Sequence, residues 1–143
     1  MRDLLIDSSV LIEYFKGNEL AVSLIEQFEE SDDVLYINEV VFSEVVYILL
    51  GYFLGTSPRT IKGHPERLPK ELSTVFKVLE DFGFVPTTQN SLFKARELIE
   101  KYALLPNDAL ILATCIEHGF SLATMDDDFK VPAEKEKVEI VGV

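Results

Sequence analysis

Five carboxylates stand where the surrounding residues are apolar or strand-like. Asp7 ends the run LLI in RDLLIDSSVLIEYF, Glu44 interrupts VVFSEVVYILL, Asp108 follows LLP in LLPNDALILATCIEHG, and Asp126 and Asp128 follow SLAT in LATMDDDF. Glu44 has Val40, Val41, Tyr47 and Ile48 as its helical neighbours, and no lysine or arginine lies between Lys16 and Arg59 to pair with it locally. Burying such a group costs several kcal/mol unless something charged or strongly polar meets it. Taken singly, each acid has an ordinary explanation. Glu44 suits a rim position or a buried pair, Asp108 a first-turn helix acid, and Asp126 to Asp128 a turn. Their joint placement says more. Two carboxylates ~4 Å apart repel by about 4 kcal/mol at an effective dielectric of 20, so a converging set must take up protons or bind a cation. Hard oxygen donors select magnesium or manganese, which also bridge to phosphates, and the chemistry that follows is metal-assisted phosphodiester hydrolysis. Ser9 and Thr124 are hydroxyls suited to holding a metal-bound water or a phosphate oxygen, and equally suited to being an N-cap and a strand residue.

These residues need a scaffold that gathers them. Leu4 to Ile6 is a short continuous apolar run, which reads as a strand buried on both faces, and Ser8 or Ser9 reads as the N-cap of a helix ending near Lys16. Asp7 then sits at the carboxyl end of a strand, where open α/β sheets hold their ligands. Glu19 to Glu30 is amphipathic, Val34 to Ile37 is a second short buried strand, and Asn38 caps a long helix from Glu39 to about Leu54. Gly55, Pro58, Gly63, Pro65 and Pro69 mark a loop. A helix from Leu72 is closed by Gly83, before the candidate third strand FVP. Further helices span about Gln89 to Tyr102 and Pro106 to His118, Ser121 to Thr124 is a fourth strand, and Val138 to Val141 a weak fifth. Strands alternating with helices imply βαβ crossovers and a mainly parallel sheet of four or five strands between helical layers, a three-layer α/β/α domain occupying residues 1–143.

The 143 residues, 48% of them hydrophobic, suffice for one core but not for two. No apolar run reaches the ~20 residues of a membrane helix, since Ser43 and Glu44 interrupt the richest, and no signal peptide opens the chain, which predicts a soluble cytoplasmic protein with no membrane partner. The lone cysteine, Cys115, reads as a small core residue. The net charge of -12 argues against a polyanionic partner, yet the cations are unevenly spread. Arg59, Lys62, Arg67 and Lys70 gather with His64 in GTSPRTIKGHPERLPK, an arm able to contact an RNA backbone or simply a solvated loop. His64 reads as a loop residue, and His118 as a partner for a helix C-terminus.

Together, IDSSVLIEYF, Glu44 in SEVVYILL, Asp108 in PNDALILATCIEHG, and Thr124, Asp126 and Asp128 in LATMDDDF resemble a PIN domain over nearly the whole chain, in particular the VapC-type ribonuclease toxins of prokaryotic toxin and antitoxin pairs. That resemblance implies an acidic metal site of Asp7, Glu44, Asp108 and Asp126, with Asp7, Asp108 and Asp126 on Mg2+ or Mn2+, and Ser9, Thr124 and Asp128 in support. It also implies endonucleolytic cleavage of RNA, a homodimer, and a small antitoxin laid over the active site. Two departures stand out. Met125 and Asp127 lie where such toxins often carry a basic residue, and the stretch from Gly55 to Pro69 is longer than in many of them. Two other functions fit the same residues: a housekeeping PIN-type nuclease of RNA processing, and a catalytically silent module whose acids dock a basic peptide. A phosphoacceptor receiver domain fits less well, because no acid ends the strand VLYI.

Overall fold

The computed structural model describes residues 1–142. Five strands pair in parallel in the order β3-β2-β1-β4-β5. They are β1 (Asp3–Ile6), β2 (Val34–Ile37), β3 (Gly83–Phe84), β4 (Ser121–Ala123) and β5 (Ile140–Val141). The central strand β1 buries Leu4, Leu5 and Ile6 completely, as a run apolar on both faces requires. Chain order fixes the layers. The steps β1 to β2 to β3 travel one way across the sheet and the steps to β4 and β5 travel the other, so right-handed crossovers place their helices on opposite faces. One face carries α1 (Ser8–Phe15), α2 (Glu19–Glu30), α3 (Glu39–Leu54) and α4 (Leu72–Asp81), and the other carries α5 (Gln89–Tyr102), α6 (Pro106–His118) and α7 (Lys130–Lys135). No helix among the described residues is long and apolar enough to cross a membrane.

Local signals explain most boundaries. Asn18 and Asn38 cap α2 and α3 with their side-chain oxygens, satisfying N–H groups that a helix leaves unpaired. Five details differ from the sequence reading. Neither Ser8 nor Ser9 caps α1; Asp7 holds the N-cap position and turns its side chain elsewhere. Strand β2 is only half covered, with Val34 exposed at the start. The third strand is Gly83–Phe84 rather than FVP, although Val85 still donates to Ile37 O. Gly83 does not close α4, which ends at Asp81; it belongs to β3, where a Cβ would come within 2.7 Å of the Tyr36 ring. The weak fifth strand contracts to Ile140–Val141. Cys115 is buried, as its apolar context implies. The loop after α3 folds into two short 3-10 turns, Pro58–Ile61 and Pro65–Arg67, with the Pro58 ring packed against Gly51 of α3.

One buried polar link joins the two helical layers. Asn38 is fully enclosed, accepts from Val41 N–H at 2.9 Å and donates to Thr114 Oγ1 at 3.1 Å, while the Thr114 hydroxyl donates to Leu110 O at 2.8 Å. Asn38→Ala removes the cap of α3 and strands a buried oxygen on α6. It should lower the unfolding free energy by about 1–3 kcal/mol, read as an earlier urea midpoint with an unchanged slope.

Candidate active site

The functional side chains meet at the carboxyl edge of the sheet, where β1 and β4 lie side by side and the order of connections reverses, the usual ligand position in open α/β sheets. Asp7 follows β1 and Thr124 follows β4, and Asp7 N–H donates to Ala123 O at 2.8 Å, which fixes the two loops against each other. The Asp7 side chain is 2% exposed. Its Oδ2 accepts from the Ser9 hydroxyl at 2.7 Å and the Thr124 hydroxyl at 2.8 Å, whereas its Oδ1 is buried with no hydrogen-bond partner in the described residues. Burial pushes this carboxyl up, Ser9 and Thr124 oppose the shift, and the charge of Glu44 adds to it.

The same two hydroxyls receive main-chain donors: Met125 N–H on Ser9 Oγ at 3.0 Å and Asp126 N–H on Thr124 Oγ1 at 3.0 Å. Each hydroxyl has one proton, already given to Asp7, so their mutual approach of 3.3 Å is a contact rather than a further bond. Ser9 and Thr124 therefore hold Asp7 and the following turn, instead of offering protons to a water or phosphate as the sequence reading allowed. Close approach also recruits Gly142, whose missing side chain makes room for the Thr124 carbonyl.

Glu44 and Asp108 arrive from opposite layers. Glu44 is half-buried on α3. Its stripe is less apolar than its sequence neighbours imply, since Tyr47 and Ile48 point to solvent. The Ser8 hydroxyl donates to one Glu44 oxygen at 3.0 Å and the Asn107 amide to the other at 3.2 Å. Asp108 occupies the first turn of α6, where the N-terminal partial charge favours an acid. Asp126 caps the turn Asp127–Phe129 by accepting from Asp128 N–H at 2.9 Å. Carboxylate oxygens of Asp108, Asp126 and Asp128 lie within 4.8 Å of one another, so this trio can hold a divalent cation. Asp128, a supporting residue by sequence, thus stands as a full candidate ligand, and Asp7 and Glu44 flank the trio. Among the described residues, the ion pairs of lysine, arginine and histidine leave all five carboxylates unpaired. Burial, followed by the charges of Asp7, Asp126, Glu44 and Asp128, pushes Asp108 up to about 6.

The basic stretch lies elsewhere. Arg59, Lys62, Arg67 and Lys70 are exposed beyond the C-terminal end of α3, which is about 15 Å along the helix from Glu44 at 1.5 Å per residue. Arg67 donates to Thr60 O at 2.9 Å, and His64 pairs with Glu66 at 3.0 Å. His118 stacks on Phe120 with ring centroids 5.4 Å apart. Sequence reasoning missed Asn107 and the Ser8 link to Glu44, because both depend on α1 and α6 meeting α3.

A model of the PIN domain family matches residues 4–135. Two archaeal relatives from Methanocaldococcus jannaschii align along nearly their whole length. "Ribonuclease VapC2" is 36% identical over 136 residues, covering 94% of this chain and 91% of the relative. "Ribonuclease VapC6" is 31% identical over 150 residues, covering 96% and 94%. Among solved structures, the DNA-bound VapBC of Salmonella typhimurium superposes with a TM-score of 0.69 at 16% identity, covering 99% of this chain and 98% of that one, which is a likeness of fold.

The crowded carboxylates make stability depend on pH with a definite sign. Because the Asp108 carboxyl is raised in the folded state, its stabilising contribution is complete below the unfolded value of 3.8 and is lost as pH rises through about 6. Under chelation, wild type should lose about 1 kcal/mol relative to Asp108→Asn between about pH 5 and 7, after allowance for solvent screening. Urea titrations of both proteins across that interval, with chelator and then with magnesium, check this, and the cation should abolish the difference.

Proposed function

The chain belongs to the PIN domain family, and from that footing we propose that it is a metal-dependent endoribonuclease, the toxin of a toxin–antitoxin pair. The observation that carries the reading is the meeting of five carboxylates without a basic partner, one of which keeps a buried oxygen unbonded. Such a set is costly unless a cation joins it. The donors are all hard oxygens, which fit Mg2+ or Mn2+. Asp7, Asp108 and Asp126 would hold the ion, with Asp128 as a further candidate ligand. A divalent ion there supplies Lewis-acid polarisation of the phosphodiester and a lowered pKa for the attacking water.

The protein's own groups do the rest. Ser9 and Thr124 favour the ionised form of Asp7 against the burial that disfavours it, and hold it in one rotamer, because each donates a hydrogen bond to its Oδ2. Glu44, aimed by Ser8 and Asn107, orients the attacking water and takes its proton. Arg59, Lys62, Arg67 and Lys70 meet the RNA backbone away from the cut.

The relatives are named VapC ribonucleases and the Salmonella typhimurium neighbour is a VapBC assembly, which supports a small antitoxin as partner here. A homodimer is the accompanying expectation. Both associations need apolar surface, and α3 exposes Tyr47, Ile48 and Tyr52 while α5 exposes Leu92 and Phe93. A toxin with an RNA substrate would act in the cytoplasm.

Cleavage of a mixed pool of structured RNAs tests the reading. Wild type should cut with magnesium or manganese and stop with chelator. Asp7→Asn and Asp126→Asn should each fall by at least about 100-fold, beyond the 10- to 100-fold usual for groups that only orient metal ligands. Equal activity of wild type and both variants would remove the carboxylate mechanism. Asn107→Ala should fall about tenfold with an unchanged melting temperature, because it loses only the donor that aims Glu44.

A further inference from the structure

The three acids that can hold a cation come from two short segments. Asp108 opens α6, just after the bend at 103–105 that follows Tyr102, the last residue of α5. Asp126 caps the turn Asp127–Phe129, which carries Asp128 and runs straight into α7. A cleft of about 220 Å³ is lined from both segments, by residues 102–105 with Asp108 and by Asp128. Like charges facing each other there push the segments apart. The 6-residue helix α7 has little stability of its own to resist this. It is anchored by burial of Phe129, Pro132 and Ala133, and by one ionic link.

That link is Glu136, which closes α7 and reaches across to α5. Its side chain is 10% exposed. One oxygen accepts from the Tyr102 hydroxyl at 2.6 Å, and the other pairs with Lys94 Nζ at 2.9 Å. Lys101 Nζ lies 3.7 Å away. The Tyr102 hydroxyl and Lys94 hold the Glu136 carboxyl below its usual range, and Glu136 in turn holds the Lys94 ammonium above its own. Charge-assisted bonds with so little exposure are stronger than ordinary surface pairs. Lys135 of α7 adds a second contact, with its Nζ 5.9 Å from the Tyr102 ring centroid. The two segments therefore meet twice: at the acids, where they repel, and at Glu136, where they attract.

We infer that Glu136 is a positioning residue for the cation. Bonded to Tyr102 and Lys94, it sets the separation between Asp108 and the pair Asp126 and Asp128, and so the affinity of the site for Mg2+ or Mn2+. The inference rests on the metal-dependent reading of the carboxylate centre, and adds to it three residues outside the centre that tune it. Groups that orient metal ligands in this way commonly contribute about 10- to 100-fold in affinity.

The sign of the effect separates positioning from charge. Lys94→Met removes a positive charge, so electrostatics acting through space makes Mn2+ binding tighter. Tyr102→Phe changes no charge, so electrostatics alone leaves binding as it was. Loss of the link weakens binding in both. Calorimetric titration of the full-length protein with Mn2+ should show about tenfold weaker binding for each variant. Tyr102→Phe, which loses a single hydroxyl, decides the matter if Lys94→Met does not fold. Arg2→Gln controls for stability, because it breaks the ion pairs with Asp33 and Glu139 at the opposite, amino edge of the sheet. It should lower the melting temperature and bind Mn2+ as wild type does. If Tyr102→Phe binds Mn2+ like wild type, if Lys94→Met binds it more tightly, or if Arg2→Gln weakens binding as much as they do, the inference is overturned while the cation site stands. If wild type binds no Mn2+, the metal-dependent reading falls and the inference falls with it.

Discussion

The site hangs on one buried carboxylate. Oδ2 of Asp7 takes hydroxyl protons from Ser9 and Thr124, and the oxygens of those hydroxyls take the main-chain N–H groups of Met125 and Asp126. Two of these four bonds, Thr124 to Asp7 and Met125 to Ser9, tie the segment after β1 to the loop after β4, although more than a hundred residues separate them in the chain. The turn carrying Asp126 and Asp128 is suspended from the same atoms. An ionised group with so little exposure is costly to keep, and hydrogen bonds to one oxygen offset only part of that cost. The other oxygen is buried without a hydrogen-bond partner among the described residues.

Topology turns this local arrangement into a charged centre. The reversal between β1 and β4 opens the carboxyl edge, and the two helical layers close over it from opposite faces. Glu44 comes from one layer and Asp108 from the other, linked by the Asn107 amide. The first turn of α6 favours an acid at Asp108, yet burial and then the surrounding charges still push that carboxyl up to about 6. Without a cation the centre is therefore strained electrostatically, which is how binding sites commonly store instability that their ligand relieves.

Total charge is a poor guide to where a polyanion can lie on this surface. The excess of acids repels at long range, but screening at physiological salt limits that reach to about 8 Å. Within such a distance, the arrangement of individual groups decides. The basic run after α3 is prominent in sequence and lies at the far end of that helix. Lys94, Lys101 and Lys135 are scattered through two helices in sequence and converge on Tyr102 and Glu136.

Short-range patterns were legible because their physics is local. The buried run before Asp7, the asparagine caps of α2 and α3, and the alternation of strands and helices each follow from a few adjacent residues, and with them the parallel α/β sheet. The candidate acids were legible for a related reason, since a carboxylate among apolar residues contradicts its own surroundings. Tertiary structure decided where two segments compete for one group. Ser9 follows the pattern of a helix cap, but its proton goes to Asp7 beside Thr124 and its oxygen accepts the N–H of Met125, a partner distant in sequence that takes the place of a helix N–H. Gly83 follows the pattern of a helix terminator, yet what it provides is space for the Tyr36 ring. Asn107 carried no signal in sequence, and Asp128 only that of a supporting acid. Their roles come from distances between helices set by the packing of the whole core, and no single segment encodes such a distance.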